Sequence, residues 1–146
     1  STRISSIAKH EASQFLHKEY GAEYAATKPV KGKLPEGAQD AHEAIRPSSV
    51  FRTPASIKDY LTKDQFRLYQ LIWSRFVASQ MTPEVLDTMA VTIDQNDVQF
   101  RANGSKTKFA GFTKIYDKTE KNNVLPDLSE GDVVKLSKTD PQQHFT

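Results

Sequence analysis

The chain has 146 residues, 37% of them hydrophobic and 26% charged, with a formal net charge of +2. That length holds one ordinary domain or two small ones, and the balance of apolar and charged residues belongs to globular chains, not disordered ones. Cysteine is absent, which excludes disulfides, thiolate metal sites and a cysteine nucleophile, and no apolar run approaches the ~18 residues of a membrane-spanning helix.

Ser5 is a predicted N-cap, after which Ile7, Ala8, Ala12, Phe15, Leu16 and Tyr20 recur at helical spacing until Gly21. Pro29, Gly32, Pro35 and Gly37 then interrupt any regular element, so Lys31 to Gly37 is expected to be an exposed loop. Thr53-Pro54 reads as the N-cap and first residue of a short helix ending near Leu61. Thr62 with Gln65 is a capping-box signal for a longer helix running to about Met81. Its expected apolar face is Phe66, Leu68, Tyr69, Leu71, Ile72, Phe76 and Val77.

Past Thr82-Pro83 the period shortens toward two. Met89, Val91 and Ile93 alternate with Ala90, Thr92 and Asp94; Asn96-Asp97 suits a hairpin turn, and Val98 and Phe100 alternate with Gln99 and Arg101. Asn103-Gly104 is a second turn signal, followed by an expected strand containing Phe109, Phe112, Ile115 and Tyr116. Lys118 to Asn123 reads as a solvated loop. Glu130-Gly131-Asp132 is another turn, ahead of a last expected strand with Val133, Val134 and Leu136. Helices first and antiparallel strands second make an α+β chain, with a boundary near residue 82. Residues 1–50 carry 7 basic and 6 acidic groups, 51–85 carry 5 and 3, and 86–146 carry 8 and 9. A phosphate-binding face would therefore have to be assembled by folding.

The densest chemistry lies in Gln39-Asp40-Ala41-His42-Glu43-Ala44-Ile45-Arg46-Pro47. His42 and Arg46 are four apart and would share one face of a helical turn. An imidazole beside a guanidinium suits a phosphodiester. Chemistry alone leaves each role open: His42 as a phosphate contact or an ordinary loop histidine, Arg46 as a phosphate clamp or a partner for Glu43, and Glu43 as a base or an orienting carboxylate. Tyr69, Trp73 and Phe76 can stack bases or pack a core, and their helical spacing favours the core. Arg67 and Arg75 can track a backbone or decorate a solvated face. His10, His17 and His144 do not cluster as metal ligands, and neither a phosphate-binding glycine loop nor a G-x-S-x-G is present.

Longer stretches resemble one family. Ser1-Thr2-Arg3-Ile4-Ser5 is similar to the continuation of the Y-M-R-T-D-S-T-R-I-S active-site run of bacterial type IA DNA topoisomerases. His42 to Pro47 repeats its H-E-A-I-R-P signature, and Leu68 to Met81 resembles its L-Y-x-L-I-W-x-R-F-V-A-S-Q-M helix. Leu125-Pro126, Glu130-Gly131-Asp132 and Gln143-His144-Phe145-Thr146 are similar to markers of its strand region. The resemblance implies an enzyme that relaxes negatively supercoiled DNA without ATP. A tyrosine cleaves one strand, stays joined to the 5′-phosphate, and another strand passes through the gap.

It further implies that residues 1–81 are a helical part of the tyrosine-carrying domain and 82–146 a β-rich segment of the toroid arch. That arch also takes strands from sequence preceding this chain, so its sheet is expected to have an open edge here. The tyrosine would lie just before Ser1, and the acidic residues that hold Mg2+ in the parent enzyme would lie further upstream. The chain is then a catalytically incomplete fragment with no metal site or cofactor of its own. His42 is implied as a contact to the scissile phosphate, and Arg46, Arg3 and Thr2 as DNA-binding residues. The implied partner is DNA, at a single-stranded region of negatively supercoiled duplex. The parent would be a cytoplasmic, nucleoid-associated monomer without a membrane segment. A different class remains: a non-enzymatic nucleic-acid-binding or scaffold module.

Overall fold

A computed structural model describes residues 3–26, 42–116, 123–143 and 145. Thr2, residues 31–37, Gln39 to Ala41, His144 and most of the expected Lys118 to Asn123 loop lie outside them. The order is helices followed by two antiparallel strands in one sheet, an α+β arrangement. Two compact units divide the chain. One comprises Ser1–Leu86 with Thr107–Glu120, the other Asp87–Lys106 with Lys121–Thr146.

In the first unit, helix α1 spans Ser6–Glu19, and the Ser5 side chain accepts from the Ala8 N–H as its cap. Gly21, at φ 105°, ends it where a side chain would be strained. Helix α2 is one turn, Pro54–Ile57, capped by Thr53 and continued as a 3-10 turn over Lys58–Tyr60. Helix α3, Lys63–Ser79, carries the capping box: Thr62 N–H donates to Gln65 Oε1 at 2.9 Å, and Gln65 N–H to Thr62 Oγ1 at 3.4 Å.

The core forms where α1 offers Ala8, Ala12, Phe15 and Leu16 and α3 offers Trp73, Phe76 and Val77, with Ala25, Val50 and Met81. Phe15 meets Trp73 edge-on, ring centroids 5.6 Å apart. Leu16, Val50 and Val77 are fully buried, each worth about 1.5–3 kcal/mol of apolar transfer. The expected apolar face of α3 is too wide. Leu68 and Leu71 are 59% and 49% exposed, because at 100° per residue they fall outside the stripe made by Tyr69, Trp73, Phe76 and Val77. Ile7 is likewise exposed on α1.

Ala25 bridges Met81 in antiparallel fashion, and Thr82 N–H donates to Tyr24 O at 2.9 Å. The chain returns to this point after the second strand. Gly111, buried with φ 52°, lies so close to Thr82 and Pro83 that a Cβ would sit 2.4 Å from the Pro83 carbonyl oxygen. The strand expected through Phe112, Ile115 and Tyr116 is therefore not formed. The left-handed glycine stops it, and a 3-10 turn over Gly111–Lys114 directs Phe112 and Ile115 against the core.

Strands β1, Val85–Gln95, and β2, Val98–Phe109, form the two-stranded sheet. They are joined at Asn96-Asp97, where Asn96 takes φ 52°, a backbone state asparagine tolerates. In the second unit Met89, Val91 and Ile93 are the less exposed face of β1, as alternation predicts, whereas Val98 and Phe100 of β2 are both about half exposed. Asn103-Gly104 is not a turn. It lies inside β2, where segment 123–125 crosses so closely that a Cβ on Gly104 would be 2.7 Å from Leu125 Cγ. Asn123 locks the crossing by accepting from Ser105 N–H and donating to Asn103 O, each at 2.8 Å. The glycine serves close approach, which at sequence level looks the same as a turn.

The Glu130-Gly131-Asp132 turn is present, closed by Asp132 N–H to Ser129 O at 3.1 Å. The strand expected at Val133, Val134 and Leu136 is not. Residues Leu128 to Val134 face Met89 to Gln95 across an open slot of about 680 Å³, so no ladder forms, and Val133 is 98% exposed.

Candidate functional site

Residues 42–53 have little regular structure, yet Ser49, Val50 and Arg52 are tied to α1 and α3. Trp73 Nε1–H donates to Val50 O at 2.9 Å, and Tyr69 O–H to Arg52 O at 2.6 Å. Burial pushes the Tyr69 hydroxyl up from its ordinary pKa, which keeps the phenol protonated as a donor. Ser49 Oγ–H donates to the Glu11 carboxylate on α1. Pro47 is buried where the chain turns inward. The aromatic polar ends of α3 thus hold the segment's backbone, while their rings fill the core.

At the start of this segment two distant stretches meet. Ala44 N–H donates to Arg3 O at 2.8 Å, and Ser5 N–H donates to Glu43 Oε1 at 2.5 Å. Arg46 grips the same carboxylate with two nitrogens of its guanidinium, Nε to Oε1 at 3.3 Å and Nη2 to Oε2 at 3.1 Å. Its Nη1 donates to Pro47 O at 3.2 Å. Hydrogen bonds from Arg46 and then from Ser5 hold the Glu43 carboxyl down at about 2, from the usual 4.5, so Glu43 is an anion across the physiological range.

Of the expected site residues, His42 and Arg3 are exposed, and the Arg3–Ala44 bond brings their stretches side by side. Arg46 is engaged with Glu43, the salt bridge that the three-residue spacing allowed. Thr2 lies outside the described residues. Trp73 and Phe76 are core residues, as their spacing favoured. Arg67 pairs with Asp64 at 4.0 Å, and Arg75 stacks on Tyr116 at 5.6 Å. No helix among the described residues is long and apolar enough to cross a membrane. Glu43 to Ser5 and Ser49 to Glu11 each span 38 residues, a separation at which no local spacing signal exists.

The sequence matches the family model described as DNA topoisomerase over residues 1–146. The chain belongs to the DNA topoisomerase family. It is also similar in structure to full-length topoisomerase I from Thermotoga maritima, with a TM-score of 0.76 and 36% identity over 90% of this chain. It spans 20% of that enzyme's length. Both findings identify a segment of a bacterial type IA topoisomerase, and the paired stretches at Arg3–Ser5 and His42–Arg46 lie within this topoisomerase segment.

Proposed function

We propose that this chain is the part of a type IA topoisomerase that holds His42 against the scissile phosphate. The whole enzyme relaxes negatively supercoiled DNA. A tyrosine oxygen attacks phosphorus at a single-stranded site, the bond to the upstream 3′-oxygen breaks, and that oxygen leaves with a proton. The phosphotyrosine on the 5′ side retains the phosphoester bond energy, so resealing needs no ATP. His42 donates a hydrogen bond, and when protonated a positive charge, to the non-bridging oxygen on which charge builds. The observation that carries this reading is the pairing of Arg3–Ser5 with Glu43–Ala44. It supports a site in which the stretch following the tyrosine and the His42 motif act on one phosphate.

Arg3 is assigned to contact with the DNA, as is Thr2 by its place in the motif, and Arg46 acts on DNA indirectly, by holding Glu43. Residues 1–81 belong to the tyrosine-carrying domain and 82–146 to the arch. The enzyme works as a monomer on DNA in the cytoplasm. Among the described residues no group of three or more His, Asp or Glu is placed to hold a metal ion. The parent's Mg2+ is assigned to acidic residues outside this chain, and no step here runs through it.

The test is covalent trapping on a labelled single-stranded oligonucleotide, with plasmid relaxation beside it. The intact protein should give a 5′-linked adduct and relax negatively supercoiled plasmid without ATP. The 146-residue chain should give neither, because Tyr20, Tyr24, Tyr60, Tyr69 and Tyr116 do not stand at the nucleophile's place in the motif. A 3′-linked adduct, or none from the intact protein, contradicts the reading.

A further inference from the structure

Helix α1 lacks half of its own cap. In a capping box the N-cap side chain serves the N–H of the third helical residue, and that residue's side chain returns to the N-cap N–H. Helix α3 does both locally, through Thr62 and Gln65. In α1 the Ser5 side chain serves Ala8, but Ala8 has no acceptor to return, and it is buried against the core. The Ser5 N–H is satisfied instead by Glu43, from 38 residues away, at 2.5 Å. The carboxylate is fixed by the Arg46 fork and lies at the positive end of the α1 dipole, where an anion is favoured. The next peptide, Ala44 N–H to Arg3 O, adds a second bond in register with the first.

We propose that Glu43 is a positioning residue of the strand-cleavage site. It completes the α1 cap in trans and thereby fixes the backbone of His42 against that of Arg3 to Ser5. The inference rests on the topoisomerase reading and adds a residue to it. Glu43 does not touch DNA. It acts by holding in place the imidazole that precedes it and the stretch that leads into α1. A site loosened by an ångström or so loses up to about a hundredfold in rate while substrate affinity changes little, and this is the signature Glu43 should leave. Gln retains one acceptor for Ser5 N–H and Arg46 Nε but gives up the charge and the second oxygen that accepts from Arg46 Nη2, so it should rescue part of the loss.

The experiment uses the intact protein that contains this chain. Single-turnover cleavage of a single-stranded oligonucleotide and oligonucleotide affinity are measured for wild type, Glu43→Ala and Glu43→Gln. Hydrogen–deuterium exchange of peptides covering residues 3–8 and 42–46 is read in the same samples. Glu43→Ala should slow cleavage by about ten- to a hundredfold, leave affinity within about twofold, and speed exchange in both peptides while the rest of α1 stays protected. Glu43→Gln should recover part of the rate and of the protection, ahead of Glu43→Ala in both. An active wild type with Glu43→Ala cleaving at the same rate overturns the inference and leaves the topoisomerase reading standing. Slow cleavage with unchanged exchange in both peptides also overturns it. If Glu43→Ala loses protection throughout α1, Glu43→Gln decides: full stability with unrescued cleavage assigns Glu43 to direct chemistry instead. A wild type that does not cleave overturns the reading and the inference together.

Discussion

Glu43 and Trp73 show how single side chains set the geometry of residues 42–53. The Glu43 carboxyl is held near 2 in the folded chain, below its ordinary 4.5. A depressed carboxylate contributes stability that is fully present above the unfolded value and is lost as pH falls through the folded one. The contribution should therefore fade between about pH 4.5 and 2, and Glu43→Gln should flatten stability against pH in that window. Carbon-detected NMR titration checks this directly; a Glu43 midpoint at the ordinary value would refute the pairing. Trp73→Phe keeps most of the ring but removes the donor to Val50 O. A buried carbonyl left unpaired should cost about 1–3 kcal/mol in chemical denaturation of the chain, and no measurable change would contradict that accounting. The Glu43–Arg46 pair was legible from its three-residue spacing. The Ser5 bond was not, because a partner 38 residues away is fixed by the fold and leaves no mark in local pattern.

Elements were legible where the signal was local and failed where it depended on a neighbour. Ser5, Thr53 and the Thr62–Gln65 box all cap the helices they were expected to cap, since capping involves only residues within one turn. The Asn96-Asp97 turn and the alternation of Met89, Val91 and Ile93 are local in the same sense. Asn103-Gly104 and the run from Phe112 to Tyr116 misled because their glycines answer to distant segments of the chain, while Phe109 does end a strand as expected. Gly104 makes room for Leu125, and Gly111 makes room for Thr82 and Pro83. Gly111→Ala combines a left-handed φ with a Cβ driven into the Pro83 peptide. It should destabilise the chain by more than the about 1–2 kcal/mol that the backbone conformation alone costs. An unchanged denaturation midpoint would mean that this return to Thr82–Pro83 contributes nothing to the first unit.

For the whole molecule, the charge balance limits what the chain can bind. With a net charge of only +2 and no basic run in the sequence, the chain by itself is expected to make few phosphate contacts. Its binding to single strands should be weak, with a shallow slope of log affinity against log salt. A tight complex that survives moderate salt would show a binding surface elsewhere. The α+β order was legible in full, and family membership was legible from several long matches along the chain. The expected last strand did not form, because a strand requires a hydrogen-bonded neighbour and Leu128 to Val134 face β1 across a slot. The central claim is that this segment exists to hold His42 at the phosphate being cut, and it is tested most directly by the single-turnover cleavage rate of the intact protein carrying His42→Ala. His42 is exposed, so the fold should be retained while cleavage slows by at least about a hundredfold. His42→Gln should recover part of that rate if donation matters, and His42→Arg more if charge does. Cleavage at the wild-type rate by a folded His42→Ala protein would contradict the account.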